Sequence, residues 1–375
     1  MKPRIIAFYL PQFHPFKEND EWWGKGFTEW TNVGKAKPLF KGHNQPRVPT
    51  ELGYYDLRLP IVREQQAQMA KDAGIEAFCY WHYWFGNGKR LIADIFDEVL
   101  NSGKPEFPFC LGWANHSWFA KNWNKDGTTG NDKLLIEQTY PGVEDEKLHF
   151  QFLLKAFRDD RYVKVNGAPL LFIFDPIAIP SEYIENFKRW TIEAGFPDLY
   201  LIANIGSKVV NKIKPEDMYL KGFNAVNYER TGGITNFAIN STGRIGRGLY
   251  GKYRDLVCAI FKVPRFRVNY KDYLPFIVTD KETDRKIIPT IIPQWDHTPR
   301  SGLRGTIFIN TSPKYFYENA KMAINAVKGK PEQEQLIFLK SWNEWGEGNM
   351  MEPDITFGRG FIEALRKAVD EVKNK

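Results

Sequence analysis

Hydrophobic and polar positions follow two alternating patterns along this chain. Short apolar runs, typical of strands buried on both faces, precede longer stretches in which apolar residues recur every three to four positions. The last stretch shows this helical period, with Phe361, Leu365, Ala368, Val369 and Val372 on one stripe. The runs predict strands at residues 5–10, 76–80, 107–113, 169–174, 199–205, 225–228, 287–294 and 336–342. The stretches predict helices at residues 58–73, 91–101, 144–157, 181–194, 215–220, 314–327 and 360–372.

Eight strands that alternate with helices predict the α/β class and, within it, a (β/α)8 TIM barrel with long βα-loop insertions. The alternative is a doubly wound open sheet, which would need a glycine-rich phosphate turn after its first strand. The segment Leu10-Pro11-Gln12-Phe13 stands there instead, so the barrel is favoured. We expect a single catalytic domain over residues 1–375, with insertions at about 11–57 and 229–286.

Composition adds an aromatic emphasis and only a weak charge signal. Tryptophan, tyrosine and phenylalanine make up 15% of the 375 residues, which suits a groove that stacks sugar rings but equally an aromatic-rich core. The formal charge is +7 and the isoelectric point about 9.0. This excess is too small to require nucleic acid, and no nucleic-acid-binding motif is present, so we expect no such partner.

Cysteine usage and the N-terminus indicate a compartment. Cys79, Cys110 and Cys258 show no CxxC spacing and are most simply free thiols, which favours a reducing environment. The apolar segment at residues 5–10 is too short for a signal peptide. No run approaches the roughly 18–20 apolar residues of a membrane span. We therefore expect a soluble, cytoplasmic protein that contacts a membrane at most peripherally.

One segment carries candidate chemistry. Ser341-Trp342-Asn343-Glu344-Trp345-Gly346-Glu347-Gly348 places two carboxylates, Glu344 and Glu347, after a predicted strand and among tryptophans. Acids that move protons and indoles that face sugar C–H groups suit glycoside chemistry. The alternative is a turn with solvated acids and core tryptophans, and the segment alone does not decide between the two.

Polar and aromatic residues also follow the other predicted strands, at the end where barrel active sites are built. Each has a simple structural explanation, such as helix capping by Asp175 before Pro176. Their recurrence at all eight strand ends instead predicts a polar, aromatic-walled cleft for an oligosaccharide. The predicted substrate-binding residues are Tyr9, His14, Glu29, Trp30, Tyr80, Trp81, His82, Trp113, Asn115, Asp175, Asn204, Tyr228, Gln294, Trp295, Asp296, Trp342 and Asn343.

Other chemistries have weaker support. His82, His116 and His297 are scattered, without HxH or HExxH spacing, so we expect no metal. No GxSxG elbow and no P-loop is present, and we expect no cofactor. Carboxylate-driven glycoside chemistry is the best account of the residues.

Four separated motifs carry a family resemblance that covers nearly the whole chain. Residues 9–14 (YLPQFH), 27–30 (FTEW), 80–84 (YWHYW) and 342–348 (WNEWGEG) together resemble the WbsX-like proteins, which are labelled glycosyltransferases of surface-polysaccharide loci. These are similar to glycoside hydrolase family 99, whose members are retaining endo-acting α-mannosidases and α-mannanases.

The resemblance implies specific roles. Glu344 would be the base that deprotonates the substrate 2-hydroxyl, which then attacks the anomeric carbon to give a 1,2-anhydro sugar. Glu347 would protonate the leaving oxygen and then activate water. Gly346 stands where a bulkier residue is expected in family 99, so the sugar need not be mannose.

These observations predict a retaining endo-glycosidase or transglycosylase that acts on a bacterial polysaccharide. The alternative is a glycosyltransferase of lipopolysaccharide O-antigen or capsule biosynthesis, and a barrel that binds carbohydrate without catalysis is a third reading. In the transferase, basic side chains of the second insertion would meet pyrophosphate or an anionic membrane surface, although a solvated basic loop explains them as well. These side chains are Arg230, Arg244, Arg247, Arg254, Arg265 and Arg267.

Overall fold

The structure is a computed structural model that describes residues 3–120, 133–206, 213–240, 253, 256–264 and 266–373. Its centre is a closed barrel of parallel strands, in which the first strand pairs with both the second and the eighth. The predicted (β/α)8 fold is therefore confirmed. The strands are β1 Arg4–Tyr9, β2 Ala77–Trp84, β3 Phe109–Trp113, β4 Ala168–Ile173, β5 Tyr200–Gly206, β6 Ala225–Glu229, β7 Ile287–Ile291 and β8 Leu336–Leu339.

The strands form where the apolar runs predicted them, because helices cover their outer face while side chains fill the interior. Every residue of β3, β4, β7 and β8 is buried. Both β7 and β8 end three residues before the predicted boundary. After β7, Pro293 has no amide hydrogen for a ladder. After β8, the amide of Ser341 bonds to Asn349 of the following loop rather than to a barrel strand.

All seven predicted helices are present, at Pro60–Ala73, Asp94–Ser102, Val143–Phe157, Ser181–Glu193, Pro215–Leu220, Pro313–Val327 and Gly360–Lys373. The insertions and loops add helices at Lys17–Trp23, Glu29–Lys35, Gly233–Asn240, Tyr270–Ile277 and Thr298–Ser301. Within the described ranges, none of the helices has the length and apolar character of a membrane span.

Aromatic rings fill the barrel interior below its C-terminal end. Phe8 of β1 stacks on Trp81 of β2, with ring centroids 4.8 Å apart, and on Phe338 of β8 at 4.9 Å. Phe172 of β4 meets Phe8 edge to face at 4.9 Å. Such pairs add about 0.5–1.5 kcal/mol each beyond the area they bury. This layer forms the floor of the mouth, by which we mean the C-terminal opening of the barrel.

The second insertion is described in part. Arg244, Arg247, Arg254 and Arg265 lie outside the described residues. Of the other two predicted basic side chains, Arg230 pairs with buried Glu282, and the guanidinium of Arg267 lies 4.9 Å from the ring centroid of Phe40.

Candidate active site

The loop after β8 brings Glu344 and Glu347 to the mouth through its own local structure. Asn343–Glu344 forms a short antiparallel pair with Asn349–Met350, and a 3-10 turn at Trp345–Glu347 joins them. The turn closes at Gly348, whose φ of +58° lies in the left-handed region that favours glycine. The loop is thereby folded back on itself, and both carboxylates lie on one turn.

Asn343 fastens this loop to the end of β1. Its side-chain oxygen accepts a hydrogen bond of 2.8 Å from the Leu10 amide, and its Nδ2 donates one of 3.0 Å to the Leu10 carbonyl. The amide therefore bonds as a backbone group would. This two-way contact fixes the first acid relative to the barrel.

A buried carboxylate, Glu352, supports the loop from behind. It accepts hydrogen bonds from the indole Nε1 of Trp345 at 2.6 Å, the hydroxyl of Tyr55 at 2.9 Å and Nε2 of Gln66 at 2.6 Å. Burial raises the pKa of Glu352 to about 7. Trp345 lies between the two acids in sequence, so this contact locks the turn that carries them.

Glu347 is held as a carboxylate. The guanidinium of Arg300 pairs with its Oε1, and Nε2 of His297 lies 3.6 Å from the same atom. Burial opposes ionisation, but Arg300 and His297 together hold the pKa of Glu347 well below its usual range.

Glu344 has the opposite environment. Its side chain is 7% exposed, and the indole Nε1 of Trp81 donates a 3.0 Å hydrogen bond to its Oε1. Burial, and next the negative charge of Glu347, raise the pKa of Glu344 to about 7. The glutamate pair, Glu344 and Glu347, thus contains one group whose pKa is raised towards neutral pH and one whose pKa is lowered.

A second cation, Lys340, lies beside the glutamate pair. Its Nζ is 3.7 Å from Oε2 of Glu229 and 5.0 Å from the ring centroid of Trp295. Burial disfavours its charge, but the carboxylates of Glu229, Glu347 and Glu344 raise its pKa above the usual value. Lys340 therefore stays a cation at the mouth.

This arrangement suits acid/base chemistry. Two neighbouring carboxyl groups whose pKa values are pushed apart by burial and by a fixed cation can give one proton and take another in the same pH range. The raised pKa belongs to Glu344 and the lowered one to Glu347, whereas the family resemblance gives the role of acid to Glu347.

The mouth also contains several of the predicted substrate-binding residues. Trp81 lies directly beside the glutamate pair, and Trp295 lies under Lys340. The Nδ2 of Asn204 and Oε2 of Glu229 are 3.9 and 3.8 Å from the position that a Cβ on Gly206 would take, so these two side chains approach one point of the mouth. Contact of Trp81, Asn204 and Trp295 with substrate stays a prediction.

The strand pleat turns another group away from the mouth. Tyr80 packs on Phe96 of a surrounding helix at 5.4 Å, and His82 lies 2.9 Å from His149 of the next helix along. Successive side chains of a strand point to opposite faces, so residues next to inward-facing Trp81 must face outward. These side chains therefore lie on the helix side of β2, and their contact with substrate stays a prediction. The group with its side chains directed into the helix layer or the protein interior comprises Tyr9, Tyr80, His82, Trp113, Tyr228 and Trp342.

Other predicted residues connect loops to one another. The Asn115 side chain exchanges two hydrogen bonds of 2.7 Å with the Asp175 backbone. The Asp175 side chain accepts from the amides of Ile177 and Ala178 in the following turn, and it does not cap the next helix, which begins at Ser181 with Pro180 as its N-cap. Buried Asp296 accepts from His43, Gln45 and Thr298. The set has four further members. Gln294 bonds to Arg47 and Met350, and Trp30 bonds to the Tyr55 carbonyl. Asn343 bonds to Leu10, and His14 is buried beside Phe16.

Sequence reasoning missed Arg300 and Lys340. Both have a recognisable position, since Lys340 immediately follows β8 and Arg300 lies shortly after the β7 loop. Neither residue type stood out, because basic side chains are common on surfaces. Glu29 was predicted for substrate but is buried and paired with Arg300. Among the residues that the structure describes, no group of three or more His, Cys, Asp or Glu side chains could hold a metal ion.

Sequence comparison finds proteins that are similar to this chain. A family profile described as "Glycosyltransferase WbsX" matches residues 5–365. "Uncharacterized protein WxcX" of Xanthomonas campestris pv. campestris is 32% identical over 372 residues, which is 97% of this chain and 49% of that protein. The chain therefore spans about half the length of the curated relatives it matches.

Solved structures show the fold at low sequence identity. A GH99 endo-alpha-mannosidase from Bacteroides thetaiotaomicron is 16% identical with a TM-score of 0.54, and the match covers 99% of this chain and 98% of that chain. A "Glycoside hydrolase-like protein" is also 16% identical with a TM-score of 0.56, and covers 98% and 94%.

Proposed function

This chain belongs to the WbsX glycosyltransferase family, and we propose that it cleaves or transfers glycosidic bonds of a bacterial polysaccharide, with Glu344 and Glu347 as its acid/base pair. The observation that carries the proposal is the glutamate pair itself. Its two carboxyl groups lie on one turn at the barrel mouth, and their surroundings push their pKa values in opposite directions. A structural turn has no need of such an arrangement.

We propose retention of anomeric configuration through the substrate 2-hydroxyl. One member of the pair takes the proton of the 2-hydroxyl while the oxygen of that hydroxyl attacks the anomeric carbon. The bond from the anomeric carbon to the leaving oxygen breaks, and the other member gives that oxygen its proton. Water, or an acceptor hydroxyl in transfer, then opens the 1,2-anhydro sugar. Retaining enzymes with a carboxylate nucleophile hold their two carboxyl groups facing each other across the scissile bond, about 5–5.5 Å apart. Glu344 and Glu347 lie on one turn instead, and this placement supports the route through the 2-hydroxyl.

The test is product analysis on defined α-mannosides and bacterial surface glycans, with the anomeric configuration followed by NMR. We expect a retained product, and we expect Glu347→Gln to abolish turnover while the fold and oligosaccharide binding persist. An inverted product, or full activity of that variant, would overturn the proposal.

Glu229 provides the control for the route through the 2-hydroxyl. It is another carboxylate at the mouth, but Lys340 and the Thr231 amide engage it. We expect Glu229→Gln to keep more activity than Glu344→Gln or Glu347→Gln. A glycosyl ester trapped on Glu229 would show an enzyme nucleophile and would exclude the 2-hydroxyl route.

A glycosyltransferase of lipopolysaccharide or capsule assembly is the second candidate, favoured by the description of the family. It predicts consumption of a sugar nucleotide in the presence of a lipid-linked acceptor. A donor panel separates the candidates, since a glycosidase releases sugar from a glycan without any nucleotide.

A further inference from the structure

The glycine between the two acids leaves a space that another residue fills. A Cβ atom built on Gly346 would lie 1.6 Å from Oε1 and 2.7 Å from Cδ of Glu29, and 3.2 Å from Nε of Arg300. The φ angle of Gly346 is outside the left-handed region, so its backbone suits any residue. Space, rather than backbone freedom, therefore requires glycine here.

Glu29 reaches this space from the first insertion. It is the first residue of the helix Glu29–Lys35 and is only 2% exposed. Its Oε1 accepts one hydrogen bond of 3.0 Å from Nε of Arg300 and forms an ion pair with Nη2 of Arg300 at 2.9 Å. A buried carboxyl group that stays ionised is stabilised by such a cation. Glu29 and Arg300 thus form a unit with fixed geometry.

The third guanidinium nitrogen of Arg300 connects this unit to the glutamate pair. Its Nη1 contacts Oε1 of Glu347, so one planar group bridges two carboxylates. A guanidinium can do this because its donors form a rigid fork, whereas the ammonium group of lysine is a single point of charge.

We propose that Arg300 is a positioning residue that keeps the shared proton of the pair on Glu344, and that the absence of a side chain at Gly346 allows Glu29 to anchor Arg300 in that place. For the chemical roles this inference rests on the proposed function. The proton placement itself does not depend on a substrate.

The charged groups around the pair are consistent with this placement. Arg300 and His297 face Glu347 from the segment after β7, and Lys340 faces both acids from the end of β8. Tyr83 of β2 is buried near both acids and near Glu29. Burial raises the pKa of its phenol, and these three carboxylates raise it further. Within the described residues, Arg300 pairs directly with Glu347 and not with Glu344, and His297 also lies on the Glu347 side, so these groups break the symmetry between the two acids.

The roles of the acids follow from this placement. The Glu347 carboxylate takes the proton of the 2-hydroxyl, and the 2-oxygen bonds to the anomeric carbon. The bond to the leaving oxygen breaks, and that oxygen receives the proton of Glu344. The Glu347 carboxyl then holds one proton and Glu344 is ionised, so the charge of the pair is unchanged. These roles are the reverse of those implied by the resemblance to family 99.

The first test titrates the carboxyl groups by NMR of protein labelled with ¹³C at the glutamate δ-carbon, with assignments from Glu344→Gln and Glu347→Gln. In the wild type, Glu344 should titrate well above Glu347. Arg300→Gln should raise the pKa of Glu347 by about 1–3 pH units, and Arg300→Lys should restore part of the difference. Arg359→Gln, which removes a surface ion pair with Glu51, should leave both values unchanged. If Glu347 titrates above Glu344 in the wild type, or if Arg300→Gln moves neither group, the proposal is overturned.

The second test examines the anchor through a double-mutant cycle measured by urea denaturation. Gly346→Ala should lower the unfolding midpoint clearly in the wild type but much less in a Glu29→Ala background, because the space is then vacant. In the NMR titration Glu29→Gln, which keeps an acceptor oxygen, should preserve the order of the two pKa values better than Glu29→Ala. Equal midpoint shifts in both backgrounds would refute the steric coupling.

The two proposals fail separately. If no glycan or donor is turned over while the NMR titration shows the expected order, the proposed function fails and the proton placement stands. If glycan cleavage is found but Glu347 holds the proton, the proposed function stands and this inference fails.

Discussion

The indole Nε1 of Trp81 donates a 3.0 Å hydrogen bond to Oε1 of Glu344, while the same indole ring stacks on Phe8 in the barrel interior at 4.8 Å. One side chain therefore belongs both to the hydrophobic core and to the candidate active site. The stacking on Phe8 and the edge contact with Phe172 fix the direction of the N–H group, so the barrel core sets the position of a titrating carboxyl group.

Trp81→Phe should keep most of the stacking and remove this hydrogen bond. A hydrogen bond to a charged group contributes about 1.5–3 kcal/mol, and it lowers the pKa of Glu344 by favouring the carboxylate. We therefore expect the pKa of Glu344 to rise, and the limb of the kcat/KM pH profile that reports it to move to higher pH. Trp23→Phe, at a side chain with 45% exposure, is the control and should leave the profile unchanged. An unshifted limb in Trp81→Phe would show that the contact has no effect on Glu344.

The roles of the two acids can be separated with a leaving group that needs no proton. On the fluoride of a glycan that the wild type cleaves, the variant that lacks the acid should recover activity, and the variant that lacks the base should not. We expect recovery for Glu344→Gln and continued loss for Glu347→Gln. General acid catalysis contributes about 10²–10⁴-fold, which sets the scale of the recovery. The opposite result would restore the roles implied by the family resemblance.

Gly348 closes the turn that carries Glu347. Its φ is +58°, and a Cβ there would lie 2.7 Å from the Cβ of Asp296. Gly358 is a matched control, because its φ is +51° and nothing lies within 4 Å of its Cβ position. Left-handed backbone alone costs about 1 kcal/mol for alanine, so Gly358→Ala should be mild. Gly348→Ala should lower the free energy of unfolding by more, about 2–4 kcal/mol in total, as overpacking adds to the strain. Urea denaturation measures both, and equal effects would contradict the clash.

Two buried histidines should make stability depend on pH. Nε2 of His82 and Nε2 of His149 are 2.9 Å apart, and Nδ1 of His149 is 3.0 Å from the hydroxyl of Tyr183. Burial lowers the pKa of both histidines well below 6.5. Below pH 6.5 the unfolded chain therefore binds protons that the folded protein does not, and the free energy of unfolding falls as the pH falls.

His149→Phe tests this contribution. The variant should be less stable at pH 7.5, because the hydroxyl of Tyr183 and the ring of His82 lose a partner. Its free energy of unfolding should nevertheless fall less steeply than that of the wild type between pH 7 and pH 5. Denaturant titrations at several pH values give both slopes, and parallel slopes would show that His149 binds a proton equally in both states.

Much of the fold was present in the sequence. Continuous apolar runs predicted the eight strands, since strands that are covered on both sides have no polar face to interrupt the run. The helical period predicted the seven helices that follow these strands, since each helix buries one face and exposes the other. The segment around Glu344 and Glu347 was also visible, because its residue types and its place after the last strand are both local properties.

The boundaries of β7 and β8 were less predictable. The predicted strand extended past Leu339 to Trp342, but the Ser341 amide bonds to its own loop and the Trp342 amide bonds to Phe8 of β1. A sequence pattern reports burial, and burial continues after the strand ends. Trp342 is completely buried without being part of the barrel.

The sequence by itself determined the barrel and predicted the end of it that carries the candidate site, with the two acids of that site. Only the tertiary structure decided which neighbours those acids have. It turned Tyr80 and His82 outward beside inward-facing Trp81, because strand pleat and barrel closure together fix the direction of each side chain. It also joined Glu29, Arg300 and Glu347, which are far apart in the chain, and so set which acid holds the proton. A pKa depends on charges and burial within a few ångströms, and distance along the sequence does not record that proximity.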